Sequence, residues 1–178
     1  MSGWQPVVEE LIEKRGSRLV AYAAMLVQRD SDAEDLVQDA LVKCFSRHRA
    51  IEAVGDAEGY VRRAMQTIAI DRARARGTRQ RAHDRSFSRE PATADLDAGL
   101  DVRLALRELS PRERVCVVMR YFDDLGVAQI AERLGLADGT VKRYLSNATA
   151  KLVPLLDETV DWDESPERID VLTTKEGK

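Results

Sequence analysis

The residues best suited to chemistry are nine arginines within residues 60–89, a stretch that holds only two aspartates and so carries a net charge of +7. The whole chain of 178 residues carries −3, so its positive charge is concentrated in this segment. A guanidinium group can donate two parallel hydrogen bonds to one phosphate. A segregated basic stretch is typical of a surface that contacts nucleic acid. The alternative is a solvated helix end whose arginines are favoured by the helix dipole.

A second group with DNA-binding chemistry lies at residues 127–145. The small Ala131, the glycine Gly135 and the apolar Val141 have the spacing of a helix-turn-helix, whose outer helix enters the DNA major groove. Cations and amides on such a helix bind phosphates or base edges. The outer helix is predicted to present five polar side chains: Lys142, Arg143, Tyr144, Ser146 and Asn147. The alternative is an ordinary pair of crossed helices that binds no DNA.

Five acids occur within residues 30–39, where a helix is predicted to begin. Some of them suit a helix N-terminus, because the helix dipole favours negative charge there. Four side chains on neighbouring turns form a strip that would repel DNA but could bind a protein: Asp35, Gln38, Asp39 and Val42. The charges alone support protein docking and a merely solvated surface equally. We call these four residues the docking strip.

The elements that must position these side chains are predicted to be helices. Apolar residues recur at three- and four-residue intervals, and an aromatic content of 5% is untypical of a β-sandwich or barrel. Capping boxes at residues 31–34 and 110–113 predict two helix starts. Gly16 predicts a weak point in the first helix, residues 46–59 are predicted as a loop, and the third helix is predicted to end before Gly77.

The expected fold class is all-α, with two small helical domains joined by a flexible linker. The predicted bounds are 1–77 for the first domain, 78–95 for the linker and 96–156 for the second, helix-turn-helix domain. An acidic tail with a net charge of −5 follows at residues 157–178. That tail is either solvated and disordered or folds back on a basic DNA-binding surface.

Several function classes receive no support from the sequence. Cys44 and Cys116 lie in helical apolar patterns and are predicted to be buried hydrophobic residues. His48 and His83 are the only histidines and form no evident base–nucleophile pair, so we expect no catalytic residue, no metal and no cofactor. The sequence has neither a signal-peptide pattern nor an apolar run of membrane-spanning length, which predicts a cytoplasmic protein with no membrane partner.

The motifs together resemble the extracytoplasmic-function sigma factors of bacterial RNA polymerase, a branch of the sigma-70 family, over residues 6–156. Residues 33–40 (AEDLVQDA) are similar to the family's polymerase-docking segment, and residues 58–72 to the helix that melts and reads the −10 promoter element. Residues 109–114 and 139–142 look like parts of the domain that reads the −35 element. The resemblance implies an alternative sigma factor, which binds core polymerase and selects where transcription starts.

The resemblance also implies site residues. Those facing the clamp helices of the polymerase's largest subunit would be Asp35, Leu36, Gln38, Asp39 and Val42. Those along the −10 DNA would be Tyr60, Arg62, Arg63, Gln66 and Arg72, with residues 47–56 as a loop that cups an unstacked base. Those at the −35 duplex would be Arg112, Thr140, Lys142, Arg143, Tyr144 and Asn147. The polymerase flap is a further expected contact, and binding of an anti-sigma factor is left open.

The sequence departs from the family pattern in three places, one of which is the acidic tail past the family's usual end. Thr67 stands where many members carry Asn, which affects the −10 contact. In the predicted recognition helix, Tyr144, Asn147 and Thr149 replace arginines, and Arg143 replaces a serine. Two other functions therefore stay open: a sigma mimic that titrates an anti-sigma regulator, and a free-standing helix-turn-helix regulator.

Overall fold

The structure, a computed structural model, describes residues 5–46, 54–82 and 98–156. Within these ranges every regular element is an α-helix, as the sequence predicted. The helices are α1 (Gln5–Leu26), α2 (Ser31–Phe45), α3 (Val54–Ala82), α4 (Ala98–Arg107), α5 (Pro111–Tyr121), α6 (Val127–Leu134) and α7 (Asp138–Leu152). The acidic tail, residues 83–95 of the predicted linker and residues 96–97 lie outside the described residues.

The first three helices pack against one another around a shared apolar core. Leu11 and Leu19 on α1, Leu36 on α2 and Val61 and Met65 on α3 are each 0% exposed. Each such side chain contributes about 1.5–3 kcal/mol of burial free energy. This core fixes the faces that α2 and α3 turn to solvent, and those faces carry the docking strip and Arg63, Arg74 and Arg76.

Helices α5, α6 and α7 form the second packed unit and confirm the predicted helix-turn-helix. Ile130 of α6 and Val141 of α7 are both 0% exposed and join the two helices of the motif. Gly135 ends α6 with φ +63°, in the left-handed region that favours glycine. Its N–H donates to the carbonyls of Ala131 and Glu132, which closes the turn.

One of the two predicted capping boxes is confirmed and the other is wrong. Ser110 Oγ accepts from the Glu113 N–H at 3.4 Å, and the Ser110 N–H donates to Glu113 Oε2 at 2.9 Å. In contrast, α2 already includes Ser31, and its N-cap Asp30 makes no side-chain capping bond. The reason is a helical turn ahead of α2, in which Asp32 and Ala33 donate backbone N–H groups to the carbonyls of Arg29 and Asp30.

Helix α3 is longer at both ends than the sequence predicted. It begins at Val54, within the predicted loop, and continues past Gly77. A helical glycine costs only about 1 kcal/mol relative to alanine, which the burial of Ala57 and Val61 (each 0% exposed) offsets. The same balance lets α1 run unbroken through Gly16. Of the predicted base-cupping loop, residues 54–56 are helical and residues 47–53 lie outside the described residues.

The two units pack directly on each other, a feature that the sequence did not predict. Helix α5 contacts α1 and α3, and α4 contacts α1. The guanidinium of Arg114 is 2% exposed and donates to the carbonyls of Leu26 (3.3 Å), Leu106 (2.8 Å) and Leu109 (3.1 Å). Burial lowers the pKa of Arg114 to about 10. We call this packing of the two units the closed arrangement.

Candidate functional site

The docking strip lies on the solvent face of α2. Asp35, Gln38 and Asp39 are exposed, and Val42 is an apolar side chain that is 67% exposed. Leu36, which was predicted as a contact residue, is 0% exposed because it faces α1 and α3 in the core. Leu36 therefore lies in the core beneath the strip, and its role as a contact residue stays a prediction.

The arginines at the end of α3 lie alongside the acids of α2. Arg72 NH2 is 2.5 Å from Asp39 Oδ2 and also donates to the Asp35 carbonyl at 3.4 Å. Arg76 NH2 is 2.9 Å from Asp32 Oδ2. The strongly basic stretch is therefore partly neutralised by α2, and the predicted −10 residue Arg72 is bound to the predicted docking strip.

A cavity of about 440 Å³ opens between the end of α2 and the first half of α3. Tyr60 and Arg63, two of the predicted −10 residues, lie on its wall, and the Arg63 guanidinium is 6.0 Å from the Tyr60 ring centroid. The sequence reasoning missed Lys43 and Ser46, which also line it. A cavity with an aromatic wall and two cations has the chemistry to hold a base and its phosphate.

The other two predicted −10 residues on α3 are covered by the second unit. Gln66 is 2% exposed, and its Nε2 donates to the Tyr22 hydroxyl (2.6 Å) and to Asp123 Oδ2 (2.8 Å). Arg62 pairs with Glu58 (2.6 Å) and with Asp123 (3.2 Å). Burial, together with the charge of Asp123, raises the pKa of Tyr22. In the closed arrangement Arg62 and Gln66 therefore bind protein groups.

The predicted −35 residues come together on one side of the second unit. Lys142, Arg143 and Asn147 are exposed on α7, with half-buried Thr140 and Tyr144. Arg112, at the start of α5, donates to the Tyr144 hydroxyl at 3.5 Å. The Arg143 guanidinium is 5.9 Å from the Tyr144 ring centroid. The helix-turn-helix thus carries a continuous surface of cations and polar groups, with Tyr144 at its centre.

The described residues offer no alternative centre of metal chemistry. Among them, no group of three or more His, Cys, Asp or Glu side chains could hold a metal ion. Cys44 and Cys116 are both buried, as predicted, and neither is in a disulfide. Burial raises the pKa of Cys116 to about 11. Among the helices of the described ranges, none combines the length and apolar character needed to cross a membrane.

Two family models match this chain in sequence order. Residues 11–79 match Sigma-70 region 2, and residues 99–152 match Sigma-70, region 4. An RNA polymerase sigma-E factor of Streptomyces coelicolor is 33% identical over 149 residues, which cover 81% of this chain and 82% of that protein. The ECF RNA polymerase sigma factor SigL of Mycobacterium tuberculosis is 32% identical over 162 residues, covering 85% and 90%.

A solved structure shows the same similarity in three dimensions. The sigma factor RpoE from Bartonella quintana, in complex with the anti-sigma factor NepR, matches with a TM-score of 0.61 and 25% identity. The match covers 86% of this chain and 98% of that chain. The chain thus matches both sigma-70 regions and aligns with its relatives over most of their length. The chain belongs to the extracytoplasmic-function branch of the sigma-70 family, the alternative sigma factors that bind core RNA polymerase and promoter DNA and direct transcription initiation.

Proposed function

We propose that this sigma factor binds its partners through three separate surfaces. The docking strip on α2 binds the clamp helices of the polymerase's largest subunit. The cavity beside Tyr60 and Arg63 receives an unstacked base of the −10 element, and α7 reads the −35 duplex. The chain performs no bond-making step of its own, because the polymerase forms the phosphodiester bonds. We place it in the cytoplasm, where the polymerase transcribes the chromosome.

The observation that carries this proposal is the placement of the cavity relative to the docking strip. The strip lies on α2, and the cavity lies between α2 and α3, which pack on each other. The cavity carries Lys43 and Arg63, whereas the strip carries Asp35 and Asp39. A cationic cavity attracts DNA, and an acidic surface repels it. One compact unit can therefore bind polymerase and single-stranded DNA at the same time without competition between the two partners.

The chemistry of the cavity supports single-stranded DNA in particular. Bases in a duplex are stacked and cannot enter a pocket, so reading one there requires that it be unstacked. Tyr60 supplies a stacking surface, and Arg63 and Lys43 supply charge for the adjoining phosphates. Thr67, which also lines the cavity, provides a hydroxyl near the base. We therefore assign base selection at the −10 element to this cavity.

The surface of α7 supports duplex recognition. Val141, Leu145 and Ala148 bury one face of the helix, which leaves Lys142 and Asn147 on the exposed face. Lysine contacts phosphates or guanine, and asparagine contacts adenine in the major groove. Tyr144 lies between Arg112 and Arg143, so this surface is less basic than a row of arginines would be. We expect modest −35 affinity that depends on polymerase binding.

The proposal is tested by transcription from a genomic library. Purified full-length protein is mixed with sigma-free bacterial core polymerase and sheared genomic DNA, and transcript 5′ ends are mapped. We expect discrete starts that share upstream elements. A matched reaction with an Asp35→Ala, Asp39→Ala variant should give few starts. An active core that yields no discrete starts with the wild-type chain would contradict the proposal.

A further inference from the structure

One carboxylate of the second unit lies against the α3 surface to which −10 reading is assigned. Asp123 Oδ2 accepts from the Tyr22 hydroxyl (2.7 Å) and from Gln66 Nε2 (2.8 Å), and Oδ1 accepts from Arg62 NH1 (3.2 Å). The Asp123 side chain is 10% exposed. All three partners belong to the first unit, so this one residue joins the second unit to the candidate DNA surface of the first.

We propose that Asp123 occupies the place of a DNA phosphate and holds the free protein in the closed arrangement. While this contact persists, Arg62 and Gln66 are unavailable to −10 DNA. The inference rests on the proposed function of α3, and it adds an autoinhibitory contact that must open before these two residues can bind promoter DNA.

The hydrogen-bonding requirement at this contact is specific. Tyr22, Gln66 and Arg62 all donate to Asp123, so the group between them must only accept. An ionised carboxylate meets this requirement, and so does a phosphate. An asparagine in the same place would turn an NH₂ group toward one of the three donors. The surface around Asp123 is thus already built to receive an anion.

The contact is also incompletely satisfied, which favours its exchange for DNA. Arg62 Nε is buried without a hydrogen-bond partner among the residues that the structure describes. The neighbouring Phe122 meets the Tyr22 ring edge-on, with centroids 6.5 Å apart, yet remains 60% exposed. An exposed aromatic side chain seals the contact poorly. Water can therefore reach its edge, and a stronger anionic ligand can compete with Asp123.

Several other contacts between the units are polar as well, as expected of an arrangement that can open. Arg107 of α4 pairs with Asp30 at 2.6 Å, and Gln28 Nε2 donates to the Arg107 carbonyl at 3.0 Å. Arg114 donates to the Leu26 carbonyl at the end of α1. Polar contacts of this kind are typical of domain interfaces that separate. Apolar side chains of both units also join in one buried cluster. Binding of the two units to separate parts of polymerase would then break the Asp123 contact.

The test uses two full-length variants that each lose one negative charge, Asp123→Asn and Asp124→Asn. Asp124 is the adjacent residue, is exposed and has φ +51°, which asparagine tolerates. Each protein is titrated into a fluorescein-labelled single strand of random sequence, about 20 nucleotides long, at low salt. Small-angle X-ray scattering gives the radius of gyration of each free protein.

We expect Asp123→Asn to bind the single strand about fivefold more tightly than wild type, because a larger fraction is open and competent. Its radius of gyration should increase, and Asp124→Asn should match wild type within about twofold in affinity. Equal behaviour of the two variants in either measurement would overturn the proposal. Circular dichroism checks that Asp123→Asn is folded. If it is not, Tyr22→Phe, which removes one hydroxyl from the other side of the contact, should open the protein in the same way, and an unchanged radius there would also overturn it.

Transcription with core polymerase separates this inference from the proposed function. Promoter-specific starts combined with equal single-strand binding by the two variants would refute the autoinhibitory role of Asp123 and leave the proposed function intact. The opposite result is an open Asp123→Asn protein that binds the single strand tightly but never supports a transcription start. It would support the autoinhibitory contact and refute the proposed role of α3 at the −10 element.

Discussion

Arg72 NH2 and Asp39 Oδ2 lie 2.5 Å apart and join the helix assigned to −10 DNA to the strip assigned to polymerase. Asp39 is 59% exposed in this pair and Arg72 is 29% exposed. An exposed ion pair of this kind contributes at most about 1 kcal/mol to stability. It is therefore weak enough for Asp39 to exchange Arg72 for a cation of the polymerase, which would release Arg72 toward DNA.

The first prediction concerns this pair. Asp39→Asn should weaken binding to core polymerase about tenfold, because it removes a charge from the centre of the docking strip. Binding to single-stranded DNA should be unchanged or tighter, because Arg72 loses its partner. Fluorescence anisotropy with labelled protein and core measures the first effect. Glu34→Gln, at another exposed acid of α2, is the charge-matched control, and an equal loss in both variants would argue against a specific role for Asp39.

The second prediction concerns base stacking in the cavity. Tyr60→Ala should weaken binding of a −10 single strand by about 1–3 kcal/mol, the usual value for one stacked base. Tyr60→Phe keeps the ring and should bind within about twofold of wild type. The comparison is made by anisotropy with an oligonucleotide taken from a mapped promoter. If alanine and phenylalanine behave alike, the ring does not stack on a base.

The third prediction concerns Lys142 on α7. Lys142→Ala should weaken −35 duplex binding. The negative slope of log affinity against log salt should become shallower by about one, because one phosphate contact is lost. Lys14→Ala, on the exposed face of α1, removes the same charge far from α7 in sequence and should leave the slope unaltered. A wild-type slope for Lys142→Ala would place this lysine away from the DNA backbone.

The fourth prediction concerns stability and pH. Burial of Glu113 opposes its ionisation, but hydrogen bonds from Lys151 and Ser110 outweigh burial and lower its pKa below 4.5. A carboxylate with a lowered pKa stabilises the fold above its unfolded-state pKa, and this contribution is lost as pH falls through the folded-state value. Stability should therefore decline as pH falls below about 4.5.

The variant Glu113→Gln isolates this effect. It should cost about 1 kcal/mol at neutral pH, since it weakens the capping box and the contact with Lys151. It should also make the decline at acid pH shallower. Urea unfolding between neutral and acid pH measures both. The control is Glu132→Gln, at an exposed glutamate of α6, and the account is contradicted if both variants keep the wild-type pH profile.

Much of the fold was predictable because its causes are local. The helical periodicity, the Ser110 capping box and the helix-turn-helix around Gly135 each depend on a few neighbouring residues, and the structure confirms all three. The extent of α3 was not predictable in this way, because burial of Ala57 and Val61 in the core compensates for glycines that would weaken an isolated helix.

The candidate site was predictable only in part. Exposed residues such as Lys142 and Asp39 follow from helix faces, but the cover over Gln66 depends on Asp123, 57 positions away in sequence. No periodic pattern reports such a contact. Lys43 was missed for a related reason: nothing in its own helix distinguishes it from other exposed cations until α3 brings Tyr60 beside it.

The most direct test of the account is the state of the promoter DNA itself. Permanganate reactivity of −10 thymines is measured with core polymerase and either the wild-type chain or an Arg62→Ala, Arg63→Ala variant, on a promoter found by start mapping. Core affinity is measured in parallel. We predict that the variant binds core as wild type does but leaves these thymines unreactive. Normal thymine reactivity, or loss of core binding, would contradict the assignment of α3 to the −10 element.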